Sequence, residues 1–160
     1  MKITIKNFQK KIPINPKRIK KTILKVLSKE DASPVRNTKS STRRNKISNG
    51  ARKSGEITIC FVSDKKIKEL NLKFLQKNRP TDVLAFDISK TKDSGQMLAD
   101  IIISTDTAIR NSKIFKTTHL YELRLYLVHG LLHLLGYDHS NPRQRQLMRQ
   151  KEREYVNTQD

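Results

Sequence analysis

The chain has 160 residues, the size of one ordinary domain, and carries 34 Lys and Arg against 15 Asp and Glu. Its net charge of +19 points to polyanionic partners, of which nucleic acid is the usual one. A single cysteine, Cys60, excludes an internal disulfide, and no uncharged apolar run is long enough to span a membrane.

The elements follow in chain order. Residues 2–8 alternate Lys, Ile and Thr with period two, as a half-buried strand does, and lack the apolar block of a signal peptide. Asn15-Pro16 opens a helix running to about residue 29, with Ile19, Ile23, Val26 and Leu27 on one face. Residues 32–55 hold seven basic and no acidic residues among Ser, Thr, Asn and Gly. They read as a mobile basic loop, either a nucleic-acid arm or a solvated insertion.

Glu56–Val62 is a strand by its β-branched and aromatic content, and Cys60 within it reads as a buried, inert thiol. Ser63-Asp64 caps the next helix, with Ile67, Leu70 and Phe74 expected on its inner face. Asp82–Ser89 and Leu98–Ser104 are two further strands, and Thr105 begins a helix to about Phe115. The segment from Thr118 to Leu135 is apolar on nearly every side near its end, which marks a central, buried helix. Asn141-Pro142 starts a last, highly charged helix. Strands mixed with helices, without strict alternation, predict a single α+β domain over 1–160 with a mixed sheet. The surface charge and the missing membrane segment predict a soluble, cytoplasmic protein.

Three of the four histidines lie within eleven residues: His129, His133 and His139. Four residues of α-helix turn by about 40°, so His129 and His133 share one face, one turn apart. On a continuing helix His139 would lie about 15 Å along the axis from His129, out of reach. Gly136 ends that helix, because glycine takes the left-handed conformation that turns the chain back. His139 then returns as a third ligand, and one divalent ion per chain, Zn2+ by preference, is the expected cofactor. Nickel and copper also favour imidazole. Three ligands leave a fourth position open, as catalytic sites do. His119 stands apart, in a surface or capping role. The spacing also matches that of metzincin proteases, but Gly130 stands where they place a glutamate base, which argues against a zinc hydrolase acting on protein.

The run His-Gly-Leu-Leu-His-Leu-Leu-Gly-Tyr-Asp-His over 129–139 resembles the signature of the bacterial YbeY family of metal-dependent endoribonucleases and rRNA maturation factors. Leu70-Asn71, the segment Pro80-Thr81-Asp82-Val83-Leu84-Ala85-Phe86 and Ala99–Ser104 resemble further family stretches, over roughly residues 56–155. The resemblance implies metal ligands at His129, His133 and His139. It implies a single-strand-specific endoribonuclease in small-subunit rRNA maturation and ribosome quality control, with RNA and ribosomal proteins as partners. It also implies a phosphate-binding arginine at the position of Leu75, for which Lys77 or Arg79 could substitute. Ala85, Asp87 and Ala99 also depart from the family's serine, proline and glycine. No general base stands out; Asp138, beside His139, is the nearest candidate. A different class is a non-catalytic rRNA-binding assembly factor with a structural zinc.

Overall fold

Side chains alternate across a strand, and that period sets the two faces of the sheet. In the computed structural model, which describes residues 1–31, 55–89 and 97–157, four strands form one sheet in the order β1-β2-β4-β3. The strands are β1 (Lys2–Asn7), β2 (Gly55–Val62), β3 (Val83–Asp87) and β4 (Met97–Ser104). β1, β2 and β4 run parallel, and β3 pairs antiparallel with β4, so the sheet is mixed as expected. On β2, Ile57, Ile59 and Phe61 enter the main core; on β4, Met97, Ala99, Ile101 and Ile103 do the same. The intervening residues Cys60, Val62 and Ile102 face a smaller cluster with Ile67 and Leu84.

The described residues also form five helices: α1 (Pro16–Asp31), α2 (Asp64–Leu75), α3 (Thr105–Phe115), α4 (His119–Leu134) and α5 (Pro142–Val156). Asn15, Ser63 and Asn141 cap α1, α2 and α5 as the sequence suggests, each accepting a backbone N–H from the first turn, and Ser104 and Thr118 do the same for α3 and α4. His119 is the first residue of α4 and lies exposed at the surface. α4 touches α1, α3, α5, β3 and β4. Leu123, Leu127, Val128, Leu131 and Leu132 are all buried there, which explains why its apolar residues encircle it.

Gly130 is what lets α4 lie so near the sheet. A Cβ at that position would sit 3.1 Å from the Ile101 side chain and 3.2 Å from that of Val83. A glutamate there would be driven into the helix–sheet contact. The missing protease base is therefore also a packing requirement.

Two expectations need correction. Phe74 is 54% exposed rather than on the inner face of α2; the buried positions are Ile67 and Asn71. Phe74 instead leans on Phe86, with ring centroids 5.3 Å apart. Cys60 is half-buried rather than sealed, though burial still pushes its thiol pKa up and keeps it protonated. The basic segment predicted over 32–55 lies, except for Gly55, outside the described residues. Among the described residues, no helix is long and apolar enough to cross a membrane.

Candidate metal centre

The last turn of α4 and the segment after it converge on one point. Gly136 has φ +92°, the left-handed turn expected of it. The Tyr137 N–H donates to the Leu132 carbonyl at 3.0 Å, and the Gly136 N–H to the His133 carbonyl at 2.9 Å. This is the Schellman pattern of helix termination. It folds the chain back so that His139 rejoins His129 and His133 within three residues of the turn. The ligand atoms of the three histidines all lie within 4.8 Å of one another.

The second nitrogen of each helical imidazole is already engaged. His133 Nδ1 lies 3.0 Å from the Tyr137 carbonyl oxygen, which can only accept. His129 Nδ1 lies 2.6 Å from Glu152 Oε1 on α5. Both Nδ1 atoms are therefore the protonated ones, and both Nε2 atoms present lone pairs inward. Yet His129 Nε2 lies 3.1 Å from His133 Nε2 and 3.4 Å from His139 Nε2. Two bare lone pairs at that distance repel unless a cation lies between them. Ligands about 2.0–2.1 Å from a tetrahedral zinc stand about 3.3 Å apart, so the observed spacing fits such an ion. Burial, reinforced by the two neighbouring imidazoles, lowers the pKa of His133 and favours the neutral, ligating form. The three histidines are positioned to hold one metal ion.

Glu152 was not anticipated from the sequence. Its signal was faint: it shares a face of α5 with the buried Met148, Tyr155 and Val156, and it is a carboxylate on the core side of a charged helix. Its side chain is 15% exposed and that of His129 24%. A second, buried carboxylate supports the turn from below. Glu30 of α1 is fully buried, accepts from the Tyr137 hydroxyl at 2.5 Å and from the Tyr155 hydroxyl, and pairs with Lys151 at 3.0 Å. Tyr137 thus packs and anchors, as its place in the turn suggests, and its carbonyl orients His133.

A cavity of about 210 Å³ opens beside the histidines, lined by His129, His139, Asp82, Arg145, Arg149 and Glu152 among others. Asp138 is exposed and accepts from both the backbone N–H and the hydroxyl of Ser140, at 2.9 and 2.7 Å. Those bonds to Ser140 hold its carboxyl below the usual range. Asp138 therefore shapes the turn that carries His139. Lys77 and Arg79 lie exposed in the turn between α2 and β3. Asn71 donates to the Arg79 carbonyl at 2.8 Å and so fixes that turn, but neither cation lines the cavity. Leu75, 45% exposed, closes α2.

The family resemblance is borne out by comparison. The sequence profile of the family described as Endoribonuclease YbeY matches residues 4–160. The chain is 34% identical over 159 residues to the protein named Endoribonuclease YbeY in Syntrophus aciditrophicus, covering 96% of this chain and 87% of that relative. It is 44% identical over 103 residues to its Anaeromyxobacter dehalogenans namesake, covering 64% of this chain. It spans about half the length of the two Anaeromyxobacter relatives it matches, 53% and 54%. A Thermotoga maritima protein known from its solution structure superposes with a TM-score of 0.59 at 26% identity, covering 96% of this chain and 86% of that one. A histidine tripod, the turn that closes it, and a profile match along nearly the whole sequence together assign this chain to the YbeY endoribonuclease family.

Proposed function

We propose that this chain is a metal-dependent endoribonuclease that cuts single-stranded RNA in the maturation and quality control of the small ribosomal subunit, in the cytoplasm. One observation carries the reading: three inward-facing Nε2 atoms, 3.1 and 3.4 Å apart where paired with His129, beside a cavity rimmed by arginines. Zinc is the proposed ion, held by His129, His133 and His139, because three imidazoles at this spacing suit its tetrahedral preference. When bound, the ion supplies Lewis-acid chemistry, polarising a phosphate oxygen or acidifying water near neutral pH.

The protein's own groups do the rest. Glu152 and the Tyr137 carbonyl hold the imidazole tautomers that leave Nε2 free. The cavity beside His129 and His139 is small, about 210 Å³, which favours a flexible single strand over a stiff duplex. The surface charge of +19 draws that strand in through its phosphates.

The test is cleavage of purified single-stranded rRNA, with and without chelator, beside His133→Ala. Cleavage that chelator and His133→Ala both abolish supports the nuclease. Cleavage that persists in the variant overturns it. A second reading has one observation in its favour: Asp138, the carboxylate next to His139 in the chain, is engaged by Ser140 rather than presented as a base. Under that reading the chain is an rRNA-binding assembly factor with a structural zinc, and metal-loaded protein binds RNA without cutting it.

A further inference from the structure

We infer that Arg145 and Arg149 of α5 form a two-pronged phosphate clamp at the mouth of the metal site, and that this clamp seats the RNA strand. The inference rests on the nuclease reading above for its substrate, but not for its geometry.

The two arginines are four residues apart, so on a helix they lie one above the other on the same face. Both line the cavity that also contains His129 and His139. Neither is committed to an acidic partner among the described residues. The acids that share the cavity are already committed: Glu152 to His129, and Asp82 to the Thr81 hydroxyl and the Val83 N–H. Arg145 donates one N–H to the His139 carbonyl at 3.3 Å. That bond steers its guanidinium toward the third histidine and leaves its other donors free. Both side chains are exposed, so a ligand reaches them without rearrangement.

Guanidinium matches this task better than ammonium. Its planar fork meets two phosphate oxygens at once, and it is always charged. Two such forks stacked along one helix face define a track for consecutive phosphates. The Arg145 end of that track lies beside His139. Other basic residues on this surface raise the local concentration of RNA, whereas this pair fixes which phosphate lies at the histidines.

The test reads binding apart from cleavage. The metal-bound protein is titrated with a fluorescein-labelled single-stranded 2′-O-methyl RNA, whose intact length is checked afterwards on a gel, and anisotropy is followed across a salt series. The double variant Arg145→Ala/Arg149→Ala is compared with Lys17→Ala/Lys20→Ala, which removes equal charge from exposed positions on α1. The clamp predicts a loss of roughly tenfold or more in affinity for the arginine pair. Its log–log salt slope should flatten by about 1.4, the value for two phosphates on a single strand. The α1 pair should change both far less. Arg145→Lys/Arg149→Lys should keep most of the salt slope but recover only part of the affinity. Equal losses from the two alanine pairs, or full recovery with lysine, would overturn the clamp. Wild-type metal content in each variant shows that the site is intact. If the wild type does not cut RNA but the arginine pair still governs binding, the nuclease reading fails and the clamp stands. If the wild type cuts and the pair is dispensable for binding, the reverse holds.

Discussion

Two regions flank the candidate site with cations, and the structure uses them differently. The α2–β3 turn carries Lys77 and Arg79 close in sequence to a family motif, yet neither side chain lines the cavity. α5 carries Arg145 and Arg149 in an otherwise unremarked charged helix, and both reach it. The same helix delivers Glu152 to His129. Proximity along the chain favoured the first region, whereas packing against α4 selected the second. A motif locates metal ligands well because they share one helix and one turn. It locates partner residues poorly, because these arrive from wherever the fold places them.

The strongest way to break this contrast is at the ligands. On the proposed reading, His133→Ala should reduce the retained metal to a small fraction of the wild-type content, read by metal analysis of the purified protein, and should abolish RNA cleavage. Next is the contact between α4 and the sheet. Gly130→Glu should destabilise the fold by at least about 3 kcal/mol in denaturant unfolding, since it forces an unpaired carboxylate against Ile101 and Val83. An unchanged midpoint would show that α4 lies farther from the sheet than described.

Glu152→Gln tests whether α5 truly supports the centre. It keeps the shape but loses the charge that orients His129, so zinc affinity should fall about 10- to 100-fold in a competition titration. Unaltered affinity would reduce α5 to a bystander at the metal.

The buried Glu30 cluster gives a pH signature. Burial alone pushes this carboxyl up, but donors from Tyr137, Tyr155 and Lys151 outweigh it and hold the pKa below the ordinary range. A depressed folded value means that the stabilisation is complete above the unfolded carboxylate pKa, about 4.3. It is then lost as pH falls through the lower folded value. Stability measured over that acid range should therefore decline, and Glu30→Gln should make this limb shallower. A limb of unchanged steepness would place the acid sensitivity elsewhere. The smallest effect is expected at the first region. Lys77→Ala/Arg79→Ala should weaken RNA binding by no more than about threefold, the share of a diffuse field rather than of direct contacts. A loss as large as that of the α5 pair would reverse the comparison.

Much of this protein was legible in residue order. Alternation and β-branched content located the first two strands, capping residues located three helix starts, and the His129-His133 spacing with Gly136 implied both the shared face and the return of His139. These features are local: each depends on backbone geometry within a few residues, which sequence states directly. Phe74 shows the limit, since helical spacing offered three apolar positions and only the docking of α2 on β3 and β4 decided that Ile67 and Leu70 are covered and Phe74 is not.

The partners of the histidines were decided by tertiary structure alone. Glu152 is 23 residues from His129, and Glu30 is 107 residues from Tyr137. No local rule links such distant groups. They meet because α1 and α5 both bury an apolar face against α4, and that packing carries a carboxylate from each helix to the two supports of the metal turn. Sequence named the three nitrogens, and the fold supplied the groups that aim them and the arginines that face them.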